Sequence, residues 1–176
     1  MALATIFMQQ WNGASGAELA TAKNAEAVQF KSADNAAVEL PESATSPLKA
    51  PRAGVYRSQE IWLRPYLGNL GAAAQVSNLT AHVSSPNLPA GMFIRYKVEA
   101  AYATPAPGGY EAGGAMVDAD GDFMATTSAN PIDLGAGPFN VVGDIGDFLV
   151  LQIEGLANVP QGLLSGLDLV LSWDEA

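Results

Sequence analysis

Residues 92–100 read MFIRYKVEA, and no other stretch constrains the fold as tightly. Met92, Ile94, Tyr96 and Val98 fall on one side of an extended backbone, and Phe93, Arg95, Lys97 and Glu99 on the other. A period of two belongs to a half-buried strand and not to a helix. Residues 167–174, LDLVLSWD, repeat the pattern, with Leu167, Leu169, Leu171 and Trp173 on one face. Residues 148–153, FLVLQI, are apolar on both faces, as a central strand covered from both sides must be. Residues 59–67 (QEIWLRPYL) and 77–84 (SNLTAHVS) also fit strands, with shorter pieces at 26–31 and 36–40.

Turn-forming stretches separate these runs: SSPNLPAG, TPAPGG, SANPIDLGAG, GDIGD and NVPQGLLSG. Many short strands punctuated in this way, with no long helical pattern, predict an all-β fold. The expected architecture is an antiparallel β-sandwich, of which the jelly roll is one form, with an N-terminal arm or short helix.

The first 54 residues differ in kind from the rest. Ser15, followed by Glu18 and LATAKNAEA, has the form of a capping box opening a short Ala-rich helix. Alanine buries little, so an arm ordered only against a partner is an equal reading. Residues 41–54, PESATSPLKAPRAG, hold three prolines and read as a linker. The expected division is therefore 1–54, an N-terminal arm with weak first strands and a Pro-rich linker, and 55–176, the sandwich domain.

Charge is divided along the chain. All eight basic residues (Lys23, Lys31, Lys49, Arg52, Arg57, Arg64, Arg95 and Lys97) precede residue 98, where they face six acids. From residue 98 onward there are twelve acids and no base, which gives the net charge of −10. Such a chain offers no basic surface for nucleic acid or for an anionic membrane. The asymmetry reads first as a means of keeping the chain soluble, and more sharply as two complementary surfaces, on one subunit or between neighbours. The start, MALATIFMQQW, has no base and no sustained apolar run. It therefore reads as a poor secretory signal, and synthesis in the cytoplasm is the expectation.

Few residues point to chemistry. The absence of cysteine removes disulfides, thiolate metal sites and a cysteine nucleophile. His82 is the sole histidine and lies on the polar side of its strand, with Thr80 and Ser84. No GxSxG elbow, phosphate-cradling loop or dinucleotide fingerprint is present, so an enzyme is the least favoured class and no cofactor is expected.

Residues 118–122, DADGD, resemble the start of a calcium loop. Asp118, Asp120 and Asp122 fill positions one, three and five of the twelve-residue pattern, but Phe123 stands where glycine is needed and Ala129 where glutamate is needed. The expectation is a β-hairpin with Asp120-Gly121 at its tip and no specific metal.

The segment Glu60-Ile-Trp62-Leu-Arg64-Pro-Tyr66 carries the best contact candidates. Ile61 and Leu63 point to the core, leaving Glu60, Trp62, Arg64 and Tyr66 on the other face. Tryptophan, arginine and tyrosine are the residues enriched at binding hot spots. Trp11, in the arm, joins them. The competing reading is that this face is itself buried by the second sheet or by the arm.

Three pieces carry a resemblance: YRSQEIWLRPYLGNLG with the following VSNLTAHVSSPNLPAGMFIRY; AAYATPAPGGYEAGGAM; and DFLVLQIEGLANVPQGLLSGLDLVLSWDEA, which closes on Trp173, Asp174 and Glu175. Over about residues 55–176 the chain resembles small β-sandwich virion proteins of tailed bacteriophages, of the capsid decoration (cement) or head-associated kind. The resemblance implies a non-enzymatic role on the outer capsid surface, with the major capsid protein and further copies of the chain, as a homotrimer, for partners. It implies no nucleic-acid or membrane contact. The rival readings are a tail or baseplate component and a carbohydrate-binding module.

Overall fold

FLVLQI, apolar on both faces, becomes the centre of the molecule. In the computed structural model it forms β11 (Phe148–Leu156), a strand with partners along both edges. The structure describes residues 3–11, 23–24, 30, 54–84, 88–106, 109–110, 116, 119–157, 159 and 168–176.

Along one edge β11 pairs antiparallel with β6 (Met92–Glu99), from Phe148↔Glu99 to Gly155↔Met92. Along the other it meets two strands in succession: β4 (Ile61–Asn69), through Leu149↔Leu63 to Leu151↔Ile61, and β3 (Val55–Arg57), through Glu154↔Arg57 to Leu156↔Val55. Between these ladders Ser58, Gln59 and Glu60 oppose only Gln152 and Ile153, so one extra residue is accommodated, as in a β-bulge.

Among the described residues, shorter strands bring this sheet to nine strands. β1 (Thr5–Trp11) lies on the far edge of β4, in register from Ile6↔Leu67 to Trp11↔Trp62, and β2 (Lys23–Asn24) pairs with β1. β7 (Gly109–Tyr110) pairs with β3, β8 (Gly121–Asp122) with β6, and β10 (Gly143–Asp144) with β4. A second sheet holds three strands among the described residues, with β5 (Val76–Val83) between β12 (Leu169–Glu175) and β9 (Ile132–Gly135).

The two antiparallel sheets pack face to face as a β-sandwich. Leu63, Ile94 and Leu149 from the large sheet form one buried cluster with Leu79, Ala81 and Leu134 from the small one. Each large apolar side chain removed from water here contributes roughly 1.5–3 kcal/mol. The alternation in MFIRYKVEA is reproduced, since Met92, Ile94, Tyr96 and Val98 all pack against this core. Leu169, Leu171 and Trp173 do the same from β12.

Two expectations for the first 54 residues change. Residues 5–11, read as part of an arm, are a strand integral to the large sheet. Lys23 and Asn24, read as helical, pair with Gln10 and Gln9 of β1. The rest of that predicted helix, the weak strand at 36–40 and most of the one at 26–31 lie outside the described residues. From that second piece Phe30 is placed, and its ring packs against the main core. No helix among the described residues is long and apolar enough to cross a membrane.

Candidate functional site

The bulge at 58–60 organises the outward face of the large sheet. Ser58 keeps the ladder continuous: its N–H donates to Ile153 O at 2.9 Å, and its hydroxyl accepts from Ile153 N–H at 3.0 Å. Gln152, fully buried, donates from Nε2 to Ser58 O at 3.0 Å and accepts the Met116 N–H at 2.9 Å. Its amide thus does the pairing that a backbone would do in an unbroken ladder.

Glu60 follows the bulge and is turned to the outward side, yet it is only 5% exposed. Its N–H donates to Ala106 O at 3.0 Å, and its Oε2 accepts the Ala106 N–H at 3.1 Å. Trp62 Nε1–H also points at Oε2, at 3.4 Å. Lys97 Nζ lies 3.8 Å from Glu60 Oε1 and 5.5 Å from the Trp62 ring centre. A buried carboxylate therefore fixes the chain that follows β6 and pairs with the nearest ammonium, which limits the cost of its burial.

Around this anchor lies a second core. Trp11, Trp62, Phe148, Val150 and Met116 form a separate buried cluster, with Tyr102 packed on it. Trp62 meets Phe148 and Tyr102 edge to face, at ring separations of 5.6 and 5.2 Å, and Trp11 meets Phe148 at 5.4 Å. Such edge-on contacts suit the ring quadrupoles and add to the gain from area alone. Trp11 and Trp62 are 4% and 1% exposed. Of the five contact candidates, the structure thus brings Trp11, Glu60 and Trp62 together inside the chain, where none presents a ring or carboxylate to a partner or a sugar. The competing reading of this face describes it better.

Arg64 and Tyr66 remain partly exposed. Arg64 sits over the Phe148 ring, 4.9 Å from its centre, with Asp144 at 3.9 Å. Tyr66 stacks on Phe7 of β1 at 5.1 Å. Further along the sheet Glu154 accepts from Arg57 at 2.9 Å and from Arg95 at 3.2 Å, and Arg95 covers Phe93. The four bases of the sandwich whose side chains are described, Arg57, Arg64, Arg95 and Lys97, all have acid partners in this chain. Among the described residues, Arg57, Arg64 and Arg95 meet acids of the later half within one subunit.

DADGD is not a hairpin tip. Gly121 and Asp122 run along the edge of β6 as β8, with Gly121 opposite Tyr96. Asp120 N–H donates to Tyr96 O, and Asp120 Oδ2 accepts the Val98 N–H at 2.9 Å. Asp122 caps a 3-10 turn (Phe123–Ala125) by accepting the Met124 N–H at 3.1 Å. Phe123, in the position a calcium loop reserves for glycine, is buried in the main core. Asp118 lies outside the described residues, and among those described no group of three or more ligating side chains could hold a metal ion. His82 faces Val170 across the small sheet, half-buried, with no nucleophile or acid bonded to its Nδ1 among the described residues.

The sequence reading missed Gln152, Glu154 and Glu175 as structural polar groups. Glu175 Oε1 accepts from Ala4 N–H at 2.8 Å and from Trp173 Nε1–H at 3.2 Å. A clue for Glu154 lay in the charge division, because the bases gathered before residue 98 need acids supplied from after it. No protein family, curated protein or solved structure matches this chain.

Proposed function

We propose that the chain is a non-enzymatic virion structural protein of a tailed bacteriophage, a capsid decoration (cement) protein. It would bind the outer capsid lattice and stabilise the head. The resemblance over residues 55–176 supplies the class. The structural observation that best supports it is how the polar side chains are employed. Glu60, Gln152, Asp120, Asp122 and Glu175 each hold a backbone amide of this chain, and Glu154 holds two of its arginines. Groups committed in this way serve rigidity.

The charge balance agrees with an outward position. With the described sandwich bases committed to internal pairs, the surplus charge is acidic, which suits a surface kept away from packaged DNA and open to a basic patch on a shell protein. Burial of Trp11 and Trp62 removes the aromatic platform that a sugar-binding module would need in this segment.

The test is to mix purified protein with capsids of the parent phage that have been stripped of it. Saturable co-sedimentation and a higher capsid melting temperature are the expected results. A folded protein that fails to bind overturns the reading, and electron microscopy that places it on the tail replaces it with the tail-component alternative.

A further inference from the structure

Two buried N–H donors on the outward face of the large sheet, Trp11 Nε1 and Arg64 Nε, have no hydrogen-bond acceptor among the described residues. The other two indoles of the chain are each met by a carboxylate, Trp62 by Glu60 and Trp173 by Glu175. Arg64 reaches its acid, Asp144, from Nη1 and only at 3.9 Å, so that pair leaves Nε unused. Buried donors are as a rule paired, because an unpaired one forfeits the bond it made with water.

The two donors belong to neighbouring side chains. In the ladder of β1 with β4, Trp11 stands opposite Trp62 and Gln9 opposite Arg64, which makes Trp11 and Arg64 diagonal neighbours on one face. Side chains of this length meet across such a diagonal. Both also pack on Phe148, with the Arg64 guanidinium carbon 4.9 Å and the Trp11 ring centre 5.4 Å from the centre of its ring. Trp11 is 4% exposed and the Arg64 side chain 26%, so the guanidinium side borders solvent.

The chemistry around the donors selects the ligand. Whatever meets them must accept two hydrogen bonds beside a cation, against the rings of Phe148, Trp62 and Tyr102. A water molecule would bring two protons of its own into that aromatic surround. A carboxylate brings two acceptor oxygens and no proton, carries the charge opposite to that of Arg64, and forms the stronger, charge-assisted kind of bond. We propose that Trp11 Nε1 and Arg64 Nε are the donors of a binding site for a small carboxylate, entered from the Arg64 side. The proposal does not rest on the virion reading and is measured on purified protein.

The probe is sodium acetate at pH 7, exchanged against sodium chloride at constant ionic strength. The chain has three tryptophans, so the indole N–H signal of Trp11 is the one missing from a 1H–15N spectrum of Trp11→Phe. In the wild type that signal should move saturably with acetate, while those of Trp62 and Trp173 stay in place. The thermal midpoint should rise by roughly 3–6 °C when acetate is tenfold above its Kd. Trp11→Phe keeps a ring in the second core and Arg64→Lys keeps the charge, yet each removes one donor. Each should weaken acetate binding at least about tenfold, as expected for the loss of one charge-assisted bond. A Trp11 signal that does not respond overturns the proposal, and the donors are then met by water or by another part of the chain. A midpoint rise kept in full by both variants is a general effect of the salt and overturns it as well.

Discussion

Glu175 Oε1 accepts the Ala4 N–H at 2.8 Å, tying the last residues of β12 in the small sheet to the approach to β1 in the large one. The same oxygen takes the indole N–H of Trp173 at 3.2 Å. Glu175→Ala removes both bonds and leaves the Trp173 indole without this partner. A charge-assisted bond in a partly exposed setting contributes about 1 kcal/mol, so thermal unfolding should move down by roughly 2–4 °C in a chain of this size. Glu175→Gln keeps an acceptor and should lose less.

Trp62 should behave as a core residue. Trp62→Ala empties the centre of the second core and is expected to lower the unfolding free energy by about 3–5 kcal/mol in urea titrations. Iodide should quench Trp173 and leave Trp11 and Trp62 largely untouched. Strong quenching of all three would mean that the outward face of the large sheet is open.

Glu60→Ala should cost on the order of 3 kcal/mol, since it leaves Lys97 with a weaker, exposed partner and orphans the Ala106 N–H. Gln152→Leu should cost about 2 kcal/mol, because Ser58 O and Met116 N–H then lose their buried partner. Unfolding midpoints in urea check both. Loss of only a few tenths in either case would show that the bulge needs no side-chain pairing.

Two glycines separate strain from crowding. Gly143 has φ +142° and open space where a Cβ would go, so Gly143→Ala costs only the strained backbone, about 1–3 kcal/mol. Gly146 has φ +61°, and a Cβ there would overlap Leu134 O and press on Leu79 Cδ2. Gly146→Ala should therefore destabilise more than Gly143→Ala, as thermal melts of the two variants side by side will show.

Calcium at millimolar levels should leave the melting temperature of the wild type unchanged. Asp120→Ala should lower it through the lost Val98 N–H bond, by about 1 kcal/mol, and by the same amount with calcium or with chelator.

Strands with one wet face were legible, and strands covered on both faces were not always so. MFIRYKVEA alternates because Phe93, Arg95 and Lys97 remain on the outward side while Ile94 enters the core. TIFMQQW hides β1 because Met8 and Gln10 are buried on one side and Trp11 on the other, so no period of two survives. IDLG and GD, read as turns, become β9 and β10 because long-range pairing with β5 and β4 outweighs local preference. DADGD misled for a related reason. The Asp-Gly signal is local, whereas β6 offered a free edge and Phe123 a place in the core. Trp62 looked like a contact residue because the sequence does not reveal that Tyr102, Phe148 and Met116 converge above it.

The placement of β11 also sets an order of events as the chain leaves the ribosome. β4 and β6 cannot be joined until residues 148–156 emerge, and Ser58 waits 95 positions for Ile153. Until then both strands present an unpaired edge, and the rings of Trp11 and Trp62 lack Phe148. Contacts of such separation close slowly, and exposed edges invite mispairing with neighbouring chains. Nascent chains halted before residue 148 should need chaperone protection that the finished protein does not.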